Sequence, residues 1–198
     1  MRMKFITILS LLTPLLLSAD TGQFVRIELQ GGKRILTLAE VKVIAGGKNV
    51  APAGKASQSS VASGGVPARA IDGKTDASYE SNGLTHTNEQ KDPWWELDLG
   101  KPVAIDQIEI YNRGDGLEDR LEAFTLSVLD AQRKEVFKRE DVGTPREVVR
   151  FEIKEKGKAV YLDRKGKVQA AVPPPVTIPA GYKDPAPFAF MENDVVAV

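Results

Sequence analysis

The sequence predicts an all-β fold, an antiparallel jelly-roll β-sandwich, and three observations predict it. Short segments with an apolar residue at every second position recur along the chain, which is the period of a strand with one buried face. Clusters of Gly, Pro, Asp and Asn separate these segments. Beyond the first 20 residues, no run of 12 or more keeps a helical period. Many short strands with regular turn signals leave a sandwich or barrel as the architecture that buries the apolar faces.

Taken in order, the chain opens with a basic head, Arg2 and Lys4, followed by the apolar run Phe5 to Leu17 and a small residue, Ala19. The run is too short to span a bilayer and has the layout of a secretory signal peptide, residues 1–19. The expected location is therefore secreted, periplasmic or at the cell surface. Without residues 1–19 the chain carries 25 basic against 27 acidic residues, a balance with no electrostatic footprint for nucleic acid or an anionic membrane, and neither nucleic-acid binding nor membrane insertion is expected. It contains no cysteine, so a packed core, a metal, or both must supply the stability that disulfides give many exported domains.

Strands are expected over "FVRIEL" (24–29), "LAEVKVI" (38–44), "WWELDLG" (94–100), "VAIDQIEIY" (103–111), "FTLSVLD" (124–130), "KEVFK" (134–138), "VVRFEI" (148–153) and "AVYL" (159–162). "PARAID" and "RLEAF" carry hints of single helical turns. Trp94 and Trp95 are expected in the core on the ordinary behaviour of tryptophan. Residues 45–102 are mostly polar and loop-rich, the kind of long segment that is functional or disordered; here "AID" and "WWELDL" pin it to a core. The expected organisation is a leader over 1–19, a β-sandwich over 20–165, and a Pro-rich tail or the start of a further element over 166–198, where six of the twelve prolines fall after residue 170.

The one histidine, His86, lies in the polar segment, and "RGDGLEDR" (113–120) follows the strand ending at Tyr111. Arginine presents fixed donors that suit pairs of hydroxyls, a carboxylate two residues away can hold a guanidinium in place, and an imidazole nitrogen can donate or accept. Converging, such groups would read the stereochemistry of a monosaccharide, with Leu117 as an apolar contact. No cysteine nucleophile, Gly-x-Ser-x-Gly, zinc-type His pair or phosphate loop stands out, so an enzyme is not expected.

The flanks make the pattern specific. "NVAPAGKASQSS", "ARAIDGKTDASYESNGLTHT" and "DPWWELDLGKPVAIDQIEIYNRGDGLEDRLEAFTLSVLD" resemble the F-type lectin (fucolectin) family, within the discoidin-like, galactose-binding-domain-like superfamily of β-sandwiches. The family's sugar motif is His, 26 residues, Arg-x-Asp, four residues, then Arg or Lys. His86, Arg113, Asp115 and Arg120 fit it without a gap. The resemblance implies that His86, Arg113 and Arg120 hydrogen-bond L-fucose or a related sugar and that Asp115 orients the arginines. Animal members carry two adjacent cysteines where this chain has Gly116 and Leu117, so Leu117 would replace their contact with the sugar's methyl.

The resemblance also implies a structural calcium, held by the carboxylates of Asp72 and Glu40 and the carbonyls of Ala39, Arg69, Lys74 and Gly83. Gly83 stands where the family has a serine ligand. "FVRIELQGGKRILTLAEVKV" resembles the family's closing strands moved to the front, a circular permutation that neighbouring sandwich termini allow. The implied partners are extracellular glycans, with avidity from an oligomer or a larger secreted assembly. The alternative is a protein-binding or scaffold module of the same fold whose sugar site has decayed.

Overall fold

Two five-stranded antiparallel sheets face each other across the core of the computed structural model, which describes residues 21–155 and 158–170. The expected leader, 1–19, and the tail beyond 170 lie outside the described residues. The strands are β1 (Gly22–Leu29), β2 (Glu40–Ala45), β3 (Lys48–Asn49), β4 (Lys55–Gln58), β5 (Trp94–Val103), β6 (Gln107–Tyr111), β7 (Phe124–Leu129), β8 (Glu135–Val142), β9 (Val148–Glu152) and β10 (Lys158–Leu162). One sheet has the order β4-β5-β1-β7-β8 and the other β10-β9-β6-β2-β3. The all-β sandwich expected from the alternation is the fold observed.

The alternation sets the core directly. Val25, Ile27 and Leu29 of β1 point inward with Trp95 and Leu97 of β5 and Phe124, Leu126 and Val128 of β7. Val41 and Val43 of β2, Ile108 and Ile110 of β6, and Val149 and Phe151 of β9 meet them from the other sheet. Phe124 and Phe151 touch edge to face across the core, centroids 6.3 Å apart, a favourable arrangement for two ring quadrupoles. The core is dense with β-branched and aromatic residues, which suits a pleated surface buried on one side.

The two tryptophans part company. Trp95 is fully buried, and its indole N–H donates to the Pro67 carbonyl at 3.0 Å. Trp94, one residue along the pleat, points to the outer face, where the Arg26 guanidinium lies 4.4 Å from its ring centre. The core expectation therefore fails for Trp94, because successive strand residues face opposite ways. Two strands escaped the sequence, β3 and β4: the first is two residues long, and β4 is a polar edge strand, "KASQ", whose pairing with β5 needs no apolar alternation. Strand β5 also runs further than expected, through Val103.

The N-terminal strands lie in the middle of the sheets. β1 pairs with both β5 and β7, and β2 with β3 and β6, a topology consistent with closing strands moved to the front. Residues 67–71 and 118–121 each form a 3₁₀ turn, at the two places where single helical turns are expected. After β10 the chain turns back on itself: Val168 bridges Leu162, and the Gln169 N–H donates to the Tyr161 carbonyl.

Candidate functional site

At one end of the sandwich, the loop after β6 and the polar segment before β5 enclose a cleft of about 500 Å³. His86, Arg113, Asp115, Leu117 and Arg120 all line it, so the structure brings together the four residues expected to contact sugar and the carboxylate expected to orient the arginines. Ser63, Ser78, Tyr79 and Glu80 complete the wall.

The loop 113–120 is held from below by Asn112, which is fully buried at the end of β6. Its amide nitrogen donates to the carbonyls of Glu118 and Pro145, and its Oδ1 accepts the Arg113 N–H at 2.8 Å. One side chain thus satisfies backbone groups at both ends of a tight loop, which fixes the path of the charged residues between them.

Arg113 is only 3% exposed. Its Nε and Nη2 donate to the two carboxylate oxygens of Asp115 at 2.6 and 2.8 Å, a fork-to-fork pair that keeps a guanidinium charged inside the protein. The pair holds the Asp115 carboxyl below its ordinary range, and the Tyr79 N–H donating to Asp115 Oδ2 adds to this. The third nitrogen, Arg113 Nη1, is buried and has no hydrogen-bond partner. It is an unspent donor on a residue that lines the cleft.

Asp115 holds Arg113, but it does not bond Arg120. Arg120 Nη1 lies 3.2 Å from His86 Nε2, and His86 Nδ1 lies 2.8 Å from the Thr87 carbonyl. A carbonyl only accepts, so Nδ1 carries the proton and Nε2 offers its lone pair to Arg120. Burial, and then the charges of Arg120 and Arg113, lower the His86 pKa, so the ring is neutral at neutral pH although the bond to Thr87 opposes the shift.

The backbone around His86 is pinned on both sides. Its N–H and carbonyl bond to the Gly65 carbonyl and the Ala62 N–H, while Thr85 and Thr87 exchange bonds with Leu38 and Leu36. The Gln58 amide nitrogen donates to the carbonyls of Ser60, Gly65 and His86, tying three points together. Gly65 passes so close to His86 that a Cβ there would run into His86's nitrogen and Cβ. Sequence reasoning missed Gly65, Gln58 and Tyr79. Tyr79 alone left a signal, as the one aromatic residue in the polar run "DASYESN".

Around this polar floor the rim is apolar. Tyr79 and Leu117 are nearly half exposed while lining the cleft, and Tyr79 meets the His86 ring edge-on at 6.3 Å. Val61 and Val66, also exposed, flank the loop that carries Ser63. Neither Trp94 nor Trp95 lines this cleft.

The second set of expected residues gathers beside it. Glu40 opens β2 on the outer side of its sheet, the face opposite Val41 and Val43, yet it is fully buried because the loop 72–74 lies over it. Its Oε1 accepts the Gly73 N–H at 3.2 Å, and its Oε2 has no partner. Burial, aided by the nearby Asp72 charge, pushes the Glu40 pKa up to about 8. Arg69 reaches the Leu84 carbonyl and Asn82 Oδ1, and the Thr85 N–H bonds Leu38, so the segments holding Ala39, Arg69, Asp72, Lys74 and Gly83 converge on one corner. Asp72 Oδ1 is engaged by the Lys74 N–H, and the Lys74 side chain is largely exposed. A Cβ at Gly83 would strike the Asp76 carbonyl, which gives a physical reason for glycine at this position. Among the described residues, no three His, Cys, Asp or Glu side chains cluster as a metal site, so any cation here would depend on carbonyls as well as on Glu40 and Asp72.

Comparison with known proteins agrees with this fold. A family model described as a NedA-like, galactose-binding domain matches residues 69–163. Fucolectin-5 of Anguilla japonica is 40% identical over 79 residues, which cover 37% of this chain and 42% of the fucolectin. A pentraxin fusion protein of Xenopus laevis is 31% identical over 109 residues, covering 54% of this chain and 26% of that protein. The chain thus spans less than half the length of these two relatives. Two solved structures superpose with a TM-score of 0.51 each. The lectin domain of lectinolysin, complexed with Lewis B antigen, is 35% identical, with 54% of this chain and 77% of that one covered. A Streptococcus pneumoniae fucose binding module is 34% identical, covering 59% and 82%. With the sandwich topology and an identity of about a third over most of these two solved structures, the chain belongs to the F-type lectin (fucolectin) family, on the discoidin-like, galactose-binding fold.

Proposed function

We propose that this chain is a calcium-stabilised carbohydrate-binding module that takes L-fucose or a closely related 6-deoxy sugar from extracellular glycans, binding it without catalysis. One observation carries the reading: Arg113, with a buried and unpartnered Nη1, lines a cleft together with His86 and Arg120 and with the exposed Tyr79 and Leu117. A ligand with vicinal hydroxyls on one side and a methyl group on the other matches a polar floor under an apolar rim. Arg113 Nη1 would donate to one hydroxyl. A second hydroxyl, inserted between Arg120 and His86, would accept from the guanidinium and donate to Nε2. Leu117 and Tyr79 would cover the methyl group.

The calcium part of the proposal rests on Glu40. A buried carboxylate with one unpartnered oxygen beside a second carboxylate is a poor arrangement by itself and a good one around a hard cation. Glu40 and Asp72, with carbonyls from Ala39, Arg69, Lys74 and Gly83, would hold it, and the ion would supply charge neutralisation and lock the loop 72–83. That loop also carries the Tyr79 N–H that braces Asp115.

A glycan array probed with the wild type and with Arg113→Ala, each with calcium and with chelator, tests both parts. The expected result is fucoside binding by the wild type in calcium and its loss in the variant. No fucoside signal from the wild type in calcium would sink the sugar assignment and favour a protein-binding module of the same fold.

A further inference from the structure

The turn after β10 is built by its own residues. The Asp163 N–H donates to the Lys167 carbonyl at 2.9 Å, and Asp163 Oδ1 accepts the N–H groups of Lys165 and Lys167. Gly166 supplies the left-handed backbone, φ 84°, that closes the turn. This fixes the backbone of Arg164, whose own N–H donates to Glu147 Oε2 at 2.8 Å.

From that anchor the Arg164 side chain reaches between three segments and engages all of its nitrogens. Nη2 donates to the Asn112 carbonyl at 2.6 Å, Nε donates to the Thr75 carbonyl at 3.3 Å, and Nη1 lies 3.5 Å from Glu147 Oε2. A planar guanidinium can serve two carbonyls and a carboxylate at once, which the compact charge of a lysine cannot. Segments far apart in sequence therefore meet on one side chain.

Both carbonyls belong to the framework of the sugar cleft. The Asn112 carbonyl is part of the peptide that joins Asn112 to Arg113, so Arg164 grips the root of the loop 113–120. Thr75 lies in the loop 72–83, which offers the Ala77 carbonyl to the Gly114 N–H at 2.9 Å and the Tyr79 N–H to Asp115. Gly114 sits at the junction: a Cβ there would stand 3.3 Å from the Ala77 Cβ and 3.5 Å from Arg164 Nη1. Arg164 itself does not line the sugar cleft, and it lies one position beyond the span that the galactose-binding family model matches.

We propose that Arg164 is a positioning residue of the sugar site: it clamps the loop 72–83 to the loop 113–120, and so makes the turn after β10 part of the site. The inference rests on the sugar reading of the cleft. Without the clamp the two loops open locally, and affinity falls by the fraction of molecules that keep them in register. A competent fraction of about one tenth gives about a tenfold loss.

The test is calorimetric titration of the full chain with methyl α-L-fucoside, in calcium, for the wild type, Arg164→Ala and Asp106→Ala. Asp106→Ala controls for stability alone. Asp106 precedes β6, at the end of the sandwich opposite the cleft, where it pairs with Lys154 and accepts the Gly46 N–H. The expected result is about a tenfold loss of affinity in Arg164→Ala, with Asp106→Ala within about twofold of the wild type. Hydrogen exchange gives the second readout. The Gly114 amide should exchange about tenfold faster in Arg164→Ala, a larger change than in the amides of β1, which report global stability. Arg164→Lys keeps the charge without the fork, should lose affinity in the same direction, and serves where the alanine variant does not fold. Unchanged affinity in the folded Arg164 variants, an equal loss in Asp106→Ala, or a Gly114 amide accelerated no more than those of β1 overturns the clamp alone. No fucoside binding by the wild type overturns the sugar reading and the clamp with it.

Discussion

Arg113 and Glu40 are both charged residues buried at the same end of one sandwich, and they are treated in opposite ways. Arg113 has its counter-charge built in, two hydrogen bonds to Asp115, and spends only two of its three nitrogens. Glu40 has one backbone N–H, an empty-handed second oxygen and a like charge nearby. The difference teaches how each site is to be completed. A buried cation with its carboxylate supplied is stable as it stands and has a donor to offer. A buried carboxylate without a cation is driven neutral until one arrives.

Exchanging partners is the sharpest way to break this comparison. Asp115→Asn leaves Arg113 buried without a counter-charge and should cost about 3 kcal/mol of stability. Denaturant unfolding of wild type and variant would measure it, and a loss under 1 kcal/mol would show that Arg113 does not depend on Asp115. Glu40→Gln should do the reverse, leaving the calcium-free protein at least as stable as wild type.

Calcium sharpens the same contrast. At one hundred times its dissociation constant, a native-state ligand adds about 2.7 kcal/mol, so calcium should raise the melting temperature on the order of 5 °C, and should do nothing in Glu40→Gln. The sign with pH follows from the raised pKa. In chelator, the wild type's stability contribution from neutral Glu40 is full below pH 4.5 and is lost as pH rises through about 8. Its melting temperature should therefore fall across that window relative to the Gln variant. A flat difference would count against the buried carboxylate as the origin.

Smaller effects concern His86. Gly65→Ala must push His86 off its backbone contact and should weaken fucoside binding about tenfold with a modest loss of stability, an estimate that corresponds to about 1.4 kcal/mol. The depressed His86 pKa gives the weakest effect. Binding should be constant above pH 6.5 and fall only as pH drops below it, because the neutral ring is the form that accepts from Arg120. Titration calorimetry at pH 5, 6 and 7 reads this directly, and affinity that rose toward pH 5 would mean that the protonated ring, not the neutral one, is the binding form.

Much of the molecule was legible in its sequence because two kinds of signal are local. Alternation marks β1, β2, β6, β7 and β9, whose inward residues are the core. The spacing from His86 to Arg120 marks the cleft, because the loop and strand between them return the chain to the same end of the sandwich. What was not legible depends on contacts distant in sequence. Trp94 and Trp95 look alike until the register of β5 assigns one to each face. Gln58 and Gly65 matter because of His86, 21 or more residues away, and nothing in "KASQSS" or "SGGV" announces it. Tyr79 depends on its N–H reaching Asp115, 36 positions later.

The central position of β1 has a consequence for how the chain comes into being. Its partners are β5 and β7, with Glu28 opposite Trp94 and Leu29 opposite Phe124, so the first strand among the described residues must wait for residues some 65 and 95 positions later. Such long closures are slow and leave apolar edges open meanwhile. The described sandwich therefore closes only once β5 and β7 are in place, as a late, joint event rather than a growth outward from β1.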